Sequence, residues 1–275
     1  MGENFPVRPS DEAWISEGPV LLQYEAGVAT LTLNRPDVSN GMSLDFMRAF
    51  HDAVMLCHEK PQVRVVHLRG AGPNFCAGGD VGEFASKGEA LGEFMRPVTA
   101  SLQAAVALLI RLNAIVVTEI QGYAAGGGGL GLVCASDVVI AGESAKFLAG
   151  ATRVGMVPDA GATVILPHLV GFRRAMEIVL SNRVIEAKEA YEMGLITKVV
   201  PDHALVDEAK KAARYYAAGA PLALSAAKRL LWDALGVERA FADEARTQCQ
   251  LAATADAREG LAAVIGKRKP IFEGR

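Results

Sequence analysis

Two glycine-dense stretches carry the strongest chemical signal in the chain. Phe75-Cys76-Ala77-Gly78-Gly79-Asp80 and Gly122-Tyr123-Ala124-Ala125-Gly126-Gly127-Gly128-Gly129-Leu130-Gly131 each follow a β-type run and open a helix. Glycine lets the main chain come close to a ligand and adopt positive φ. A helix starting behind such a loop offers N–H groups with no intrahelical acceptor, at the positive end of its dipole. Two loops that each supply one N–H can hold a carbonyl oxygen while it becomes an oxyanion. Tight packing is the competing explanation for either loop taken alone. Dinucleotide binding fits poorly, because GxGxxG is matched loosely and no acid stands about 20 residues on, at the end of a second strand. A Walker-type phosphate loop is excluded, since neither stretch ends in Gly-Lys-Ser/Thr.

Such loops need strands and helices to hold them. Runs 20–24 and 28–33 flank Glu25-Ala26-Gly27 and predict a hairpin. Asn34-Arg35-Pro36 ends its second strand, because the residue before proline is pushed away from helix. A helix is expected over 43–60, with Leu44, Met47, Phe50, Val54 and Cys57 on one face and Ser43 as N-cap. Strands over 63–68, 114–118 and 137–141 alternate with a long helix over 91–112 and a short one behind the second loop. Strand–helix–strand succession predicts α/β layering with parallel neighbours. Three regions follow: a tail over 1–18, a core over 19–201, and an Ala/Leu/Lys/Arg/Glu-rich helical region over 202–275.

Composition narrows the function classes. A chain of 275 residues, 51% hydrophobic and 21% charged, is built to bury a core, not to stay disordered. With 28 Lys+Arg against 31 Asp+Glu and no basic stripe, nucleic acid is not an expected partner. Four cysteines without a CxxC pair predict reduced thiols and a cytoplasmic location, with neither a disulfide framework nor a zinc site. Five histidines show no HxxxH spacing, so no metal is expected. Residues 1–18 have no apolar signal-like core, and the hydrophobic stretch 98–120 is interrupted by Arg111, Asn113 and Glu119, so no membrane partner is expected.

The order and spacing of the two loops, together with several flanking motifs, resemble the crotonase family, the enoyl-CoA hydratase/isomerase superfamily. The resemblance spans about 19–272. It includes Leu33-Asn34-Arg35-Pro36, Ser136-Asp137, Ala145-Lys146-Phe147, Gly155-Met156-Val157-Pro158-Asp159-Ala160-Gly161, Ala187-Lys188-Glu189-Ala190, Gly194-Leu195 and Lys267-Arg268-Lys269-Pro270. It implies an α/β fold, a crotonase-type spiral of ββα units with a C-terminal helical trimerisation region, assembled as a homotrimer or dimer of trimers. It also implies an acyl-CoA thioester substrate and no cofactor beyond the coenzyme A that the substrate carries. The implied oxyanion hole is the N–H of Gly79 with that of Gly128, Gly127 being the alternative second donor. Cys76, Ala77 and Gly78 would run along the CoA adenine, and Arg35, Lys269 and Phe272 are candidates for phosphate or adenine contacts, with solvated surface as the other reading.

The same resemblance speaks to the reaction. Syn hydration of a 2,3-double bond uses two carboxylates around one water. The positions of the two glutamates of family hydratases fall here at Leu130 or Gly131 and at Ala151, none of which moves a proton. Asp159 matches the single acid of the family's double-bond isomerases, and Met156, Val157 and Ile165 around it should raise its pKa. A helix N-cap is its other reading. Dehalogenase-like chemistry is disfavoured, because the partner histidine and tryptophan fall at Gln103 and Ala151. An enoyl-CoA isomerase is therefore expected. Hydratase activity, thioester hydrolysis and a non-catalytic acyl-CoA-binding role are the alternatives. Among the other acids, Asp80 is expected to cap the next helix, Glu119 and Asp137 to be structural, and Glu83 to face the pocket.

Overall fold

Alternation of apolar and polar residues decides the first sheet contacts. The computed structural model describes residues 12–275. In β2 (Val20–Glu25) and β3 (Val28–Leu33), Val20, Leu22, Ala29, Leu31 and Leu33 share one buried face, as a period of two requires. The two strands form the expected antiparallel hairpin, with Leu22 opposite Leu31. β1 (Glu12–Ile15) pairs antiparallel with β2. This corrects the expectation of a tail over 1–18 for residues 12–15. Trp14 stacks on Tyr24 with ring centroids 4.8 Å apart, and the sheet edge supplies main-chain partners to a run too short and polar to announce itself. Residues 1–11 of that expected tail lie outside the described residues.

The later strands are β4 (Val65–Gly70), β5 (Ile115–Ile120), β6 (Tyr123–Ala125), β7 (Val138–Gly142), β8 (Lys146–Leu148), β9 (Ile185–Glu186) and β10 (Lys198–Val200). One sheet runs β1-β2-β3-β4-β5-β7-β10, parallel from β3 onward, and a smaller one runs β6-β8-β9. Helices α1 (Leu44–Glu59), α2 (Val81–Ser86), α3 (Leu91–Arg111), α4 (Gly126–Cys134), α5 (Ala162–Val170), α6 (Phe172–Ser181) and α7 (Ala187–Glu192) connect them. α8 (Leu205–Ala217), α9 (Pro221–Leu235), α10 (Glu238–Ala252) and α11 (Ala255–Ile265) follow. Ser43 caps α1 as expected, its hydroxyl accepting from Phe46 N at 3.2 Å.

Both faces of the parallel strands are covered. Leu31, Val66, Leu68 and Val116 join α1 and α3 in the main core, while Val65, Val117 and Ile140 meet Leu205, Ala213 and Ala217 of α8. α3 is long and apolar enough to cross a membrane by composition, but its apolar face packs between α1 and α10. Two buried polar pairs among the described residues sit on this frame. His67 Nε2 lies 3.0 Å from Glu119 Oε2, and Lys228 Nζ lies 2.8 Å from Asp137 Oδ2.

The Lys228 pair ties α9 to the sheet. Its ammonium also donates to Ala114 O at 2.9 Å, and Asp137 accepts from Val116 N and Trp232 Nε1. Burial holds the Lys228 ammonium below its usual pKa, with Asp137 opposing that shift. Removing one partner of such a pair leaves a buried uncompensated charge. Lys228→Met is therefore expected to cost on the order of 3–5 kcal/mol, read as a lowered urea midpoint at unchanged slope.

Candidate functional site

The first glycine loop is braced by two asparagines. Asn40, fully buried with φ 55°, donates from Nδ2 to Ala71 O, Asn74 O and Phe75 O at 2.9–3.0 Å and accepts from Arg35 N at 2.8 Å. Asn74 reaches the second loop, its Oδ1 accepting from Tyr123 N at 3.0 Å. The two loops then run side by side. Phe75 N donates to Gln121 O at 2.9 Å, Cys76 N to Tyr123 O at 3.0 Å, and Ala125 N to Cys76 O at 2.8 Å.

This pairing ends in direct contact between glycines. Gly78 (φ 94°) and Gly126 (φ 68°) approach so closely that a Cβ on either would lie 2.9 Å from the other's Cα. Beyond the contact, Met42 N donates to Gly78 O at 2.8 Å and Asp80 N to Met42 O at 3.1 Å. That bridge leaves the N–H of Gly79 between them without a partner among the described residues. On the other side α4 begins at Gly126, so the N–H groups of Gly127 and Gly128 lie in its first turn, where no intrahelical acceptor exists.

Ala77, Gly79, Gly127 and Gly128 line one cavity of about 250 Å³. Its remaining wall is mainly apolar: Met42, Phe84, Met95, Leu102 and Met156, closed by Leu261 and Val264 of α11. The C-terminal helices thus complete the chain's own cavity. Among the described residues, Asp159 supplies the only carboxyl in the lining. It lies against Gly127, where a Cβ would stand 2.0 Å from Oδ1. Asp159 is 5% exposed, and its pKa is pushed up to about 7, chiefly by burial and then by the charge of Glu244, against the pull of its own main-chain N–H. The N-cap reading of Asp159 is not what the fold uses. α5 starts at Ala162, and Glu244 of α10 takes its first turn, accepting from Gly161 N at 2.8 Å and Thr163 N at 3.0 Å.

Other expected residues lie elsewhere. Arg35 pairs with Asp80 at 2.9 Å and donates to Gly41 O, behind the first loop. Asp80 caps α2 as expected. Cys76 is buried, its thiol pushed up to about 12 by burial and donating to Asn40 O. Glu83 does not face the cavity: its carboxylate accepts from Leu44 N at 3.1 Å, at the start of α1. Lys269 and Phe272 lie outside the cavity, on a terminal segment folded back on α11 through Ile271 N to Glu259 and Glu273 N to Asp256. Leu130 and Ala151 are buried, Ala151 in the cavity wall. The sequence reading missed Asn40, Arg153, Glu244 and Gln248. Asn40 had a signal, since Asn tolerates left-handed φ after Pro36; the two α10 residues had none, being ordinary members of an amphipathic helix.

A carboxyl titrating near neutrality, in an apolar cavity beside unused main-chain N–H groups, is equipped to move a proton while an oxyanion is held. Comparison with known proteins agrees with this kind of site. The family model described as enoyl-CoA hydratase/isomerase matches residues 23–275. The chain belongs to the enoyl-CoA hydratase/isomerase family. It is 38% identical over 259 residues to a probable enoyl-CoA hydratase of Rhodobacter capsulatus, covering 92% of this chain and 98% of that one. It is 33% identical over 272 residues to the 1,2-epoxyphenylacetyl-CoA isomerase of Escherichia coli, covering 93% and 98%. The fold superposes on the crystal structure of an enoyl-CoA hydratase from Mycobacterium avium subsp. paratuberculosis with a TM-score of 0.85 at 29% identity, over 93% and 99% of the two chains. The crotonase-type fold expected from the resemblance is the fold observed. The enoyl-CoA hydratase/isomerase family acts on acyl-CoA, and this chain's relatives carry both hydratase and isomerase names.

The raised Asp159 pKa makes stability depend on pH. Between the unfolded value of 3.8 and the folded value of about 7 the native state holds a proton that the unfolded chain has lost. Stability therefore falls as pH rises through that window, by at most about 4 kcal/mol. Asp159→Asn removes this loss. Its melting temperature is expected to exceed the parent's by several degrees at pH 8, the gap closing toward pH 4.

Proposed function

We propose that this family member is an enoyl-CoA double-bond isomerase with Asp159 as its only acid–base group. The observation that carries this reading is the solitary carboxyl in the cavity between the two glycine loops, among the described residues. The Asp159 carboxylate removes a proton from C2 of a 3-enoyl thioester, and the electron pair moves onto the thioester oxygen. The N–H groups of Gly79 and Gly128 hold that oxygen, and Gly127 keeps the space for the carboxylate free. Asp159 then returns the proton at C4, and the double bond comes to rest between C2 and C3. Losing one such donor typically costs roughly 10²–10³ in turnover, so loop geometry carries a large share of the rate. No cofactor is needed beyond the coenzyme A of the substrate.

The relative named 1,2-epoxyphenylacetyl-CoA isomerase supports isomerisation of a CoA thioester, in its case of an epoxide and not of a double bond, while those named hydratases favour hydration as the second reading. Hydration needs a second group to hold and activate water, and the family's positions for it carry Leu130, Gly131 and Ala151. The reading also includes a homotrimer or dimer of trimers, supported by the exposed Phe172, Met176 and Leu180 of α6 and Leu222, Leu230 and Leu231 of α9. It includes a cytoplasmic location, in keeping with the free Cys57, Cys76, Cys134 and Cys249.

The test follows the conjugated thioester absorbance with 3-enoyl-CoA and 2-enoyl-CoA in parallel. Absorbance is expected to rise with the first, with turnover increasing through pH 7 as the base ionises, and to stay constant with the second. Asp159→Asn should lower turnover at least 10³-fold while keeping CoA-ester binding. Rapid loss of the band with 2-enoyl-CoA contradicts the proposal.

A further inference from the structure

Two side chains one helical turn apart on α10 hold the segment that carries Asp159 from both sides. Gln248 Oε1 accepts the N–H of Val157 at 3.0 Å. Glu244 accepts from Gly161 N at 2.8 Å, from Thr163 N at 3.0 Å and from the Thr163 hydroxyl. Between these brackets Ala160 takes φ 57°, a conformation that alanine keeps only when its surroundings impose it. α11 backs the preceding residues so closely that a Cβ on Gly260 would stand 2.4 Å from Val154 Cα.

Glu244 is buried at the N-terminal turn of α5, where it meets two main-chain N–H groups and the Thr163 hydroxyl. Burial raises the Glu244 pKa, while the Thr163 hydroxyl and the N–H groups of Gly161 and Thr163 oppose that shift and favour its carboxylate form. We propose that Glu244 is a positioning residue for Asp159: together with Gln248 it fixes the turn that aims the base, and it sets a second acidic group behind that turn. The inference rests on the reading of Asp159 as the acid–base group.

No other carboxylate opposes Asp159 across the cavity among the described residues. α4 presents glycines there, α2 and α3 present apolar side chains, and α11 presents Leu261 and Val264. Arg153 is the remaining charged group in the lining, and its Nη2 donates to Asn182 O at 2.6 Å. Glu244 is accordingly the neighbour whose charge adds to burial in raising Asp159.

Three full-length variants test this with two readouts. The titration of Asp159 is read directly as the ¹³C carboxyl resonance that Asp159→Asn removes, which requires no assumption about the reaction. The pH profile of isomerase kcat is the second readout. Glu244→Gln is expected to lower the Asp159 midpoint by a pH unit or more, and to move the acid limb of kcat with it. Glu244→Asp keeps the charge but shortens the arm; it should keep the midpoint within half a unit and lower kcat about tenfold at unchanged KM. Gln248→Leu should lower kcat without moving the limb. An Asp159 midpoint unmoved by Glu244→Gln overturns the proposal. If that variant does not fold, parent-like kcat in Glu244→Asp overturns it instead. Absence of isomerase turnover in the parent defeats only the functional reading, because the resonance still reports the coupling.

Discussion

The main chains of the two glycine loops touch, and the rest of the site is arranged around that contact. Gly78 and Gly126 leave no room for a Cβ on either side. Only at this separation do the N–H of Gly79 and the first-turn N–H groups of α4 open into one cavity. Distant parts of the chain serve the contact: the parallel pairing of 75–76 with 121–125, the buried Asn40 fan, and Asn74 bridging to Tyr123. Donors built from main chain in this way are fixed before any ligand arrives, which is the condition under which they stabilise developing charge most strongly.

The second constraint is the cost of keeping a carboxyl in an apolar space. Asp159 occupies the volume that a side chain on Gly127 would fill, so the absence of a side chain there and the presence of the acid are one arrangement. Burial raises its proton affinity and makes its ionised form a burden on folding near neutral pH. The helical region after residue 202 absorbs part of that burden. α8 covers the outer face of the sheet, Lys228 of α9 is pinned beneath it, and α10 and α11 close over the segment bearing Asp159. Ala151 stands in the wall of a cavity with one buried carboxyl at position 159, and Leu130 is buried outside its lining.

Much of this was legible in the sequence where the local pattern is strong. The hairpin, α1 with Ser43 at its cap, α3 and the parallel strands all follow from period and capping residues. The glycine loops were legible because only close main-chain approach explains so many glycines between a strand and a helix. Asp159 was visible through motif resemblance and apolar neighbours, although the same residues also suited a helix cap. β1 was missed because its signal is stacking of Trp14 on a strand ten residues on, not alternation. Glu244 and Gln248 were missed because their partners, Gly161 and Val157, lie more than eighty residues away. Such contacts come from tertiary packing and leave no mark on a helix's own periodicity. Glu83 was placed in the cavity by its position after the first loop, but the start of α1 offered it an unpaired N–H nearer at hand.

In the proposed isomerisation one carboxyl moves a proton and no water enters the product. Its most direct test is mass spectrometry of the product formed from 3-enoyl-CoA in H₂¹⁸O. The account predicts a conjugated enoyl-CoA of unchanged mass with no ¹⁸O. A hydroxyacyl-CoA carrying ¹⁸O, or free coenzyme A with a labelled fatty acid, would contradict it.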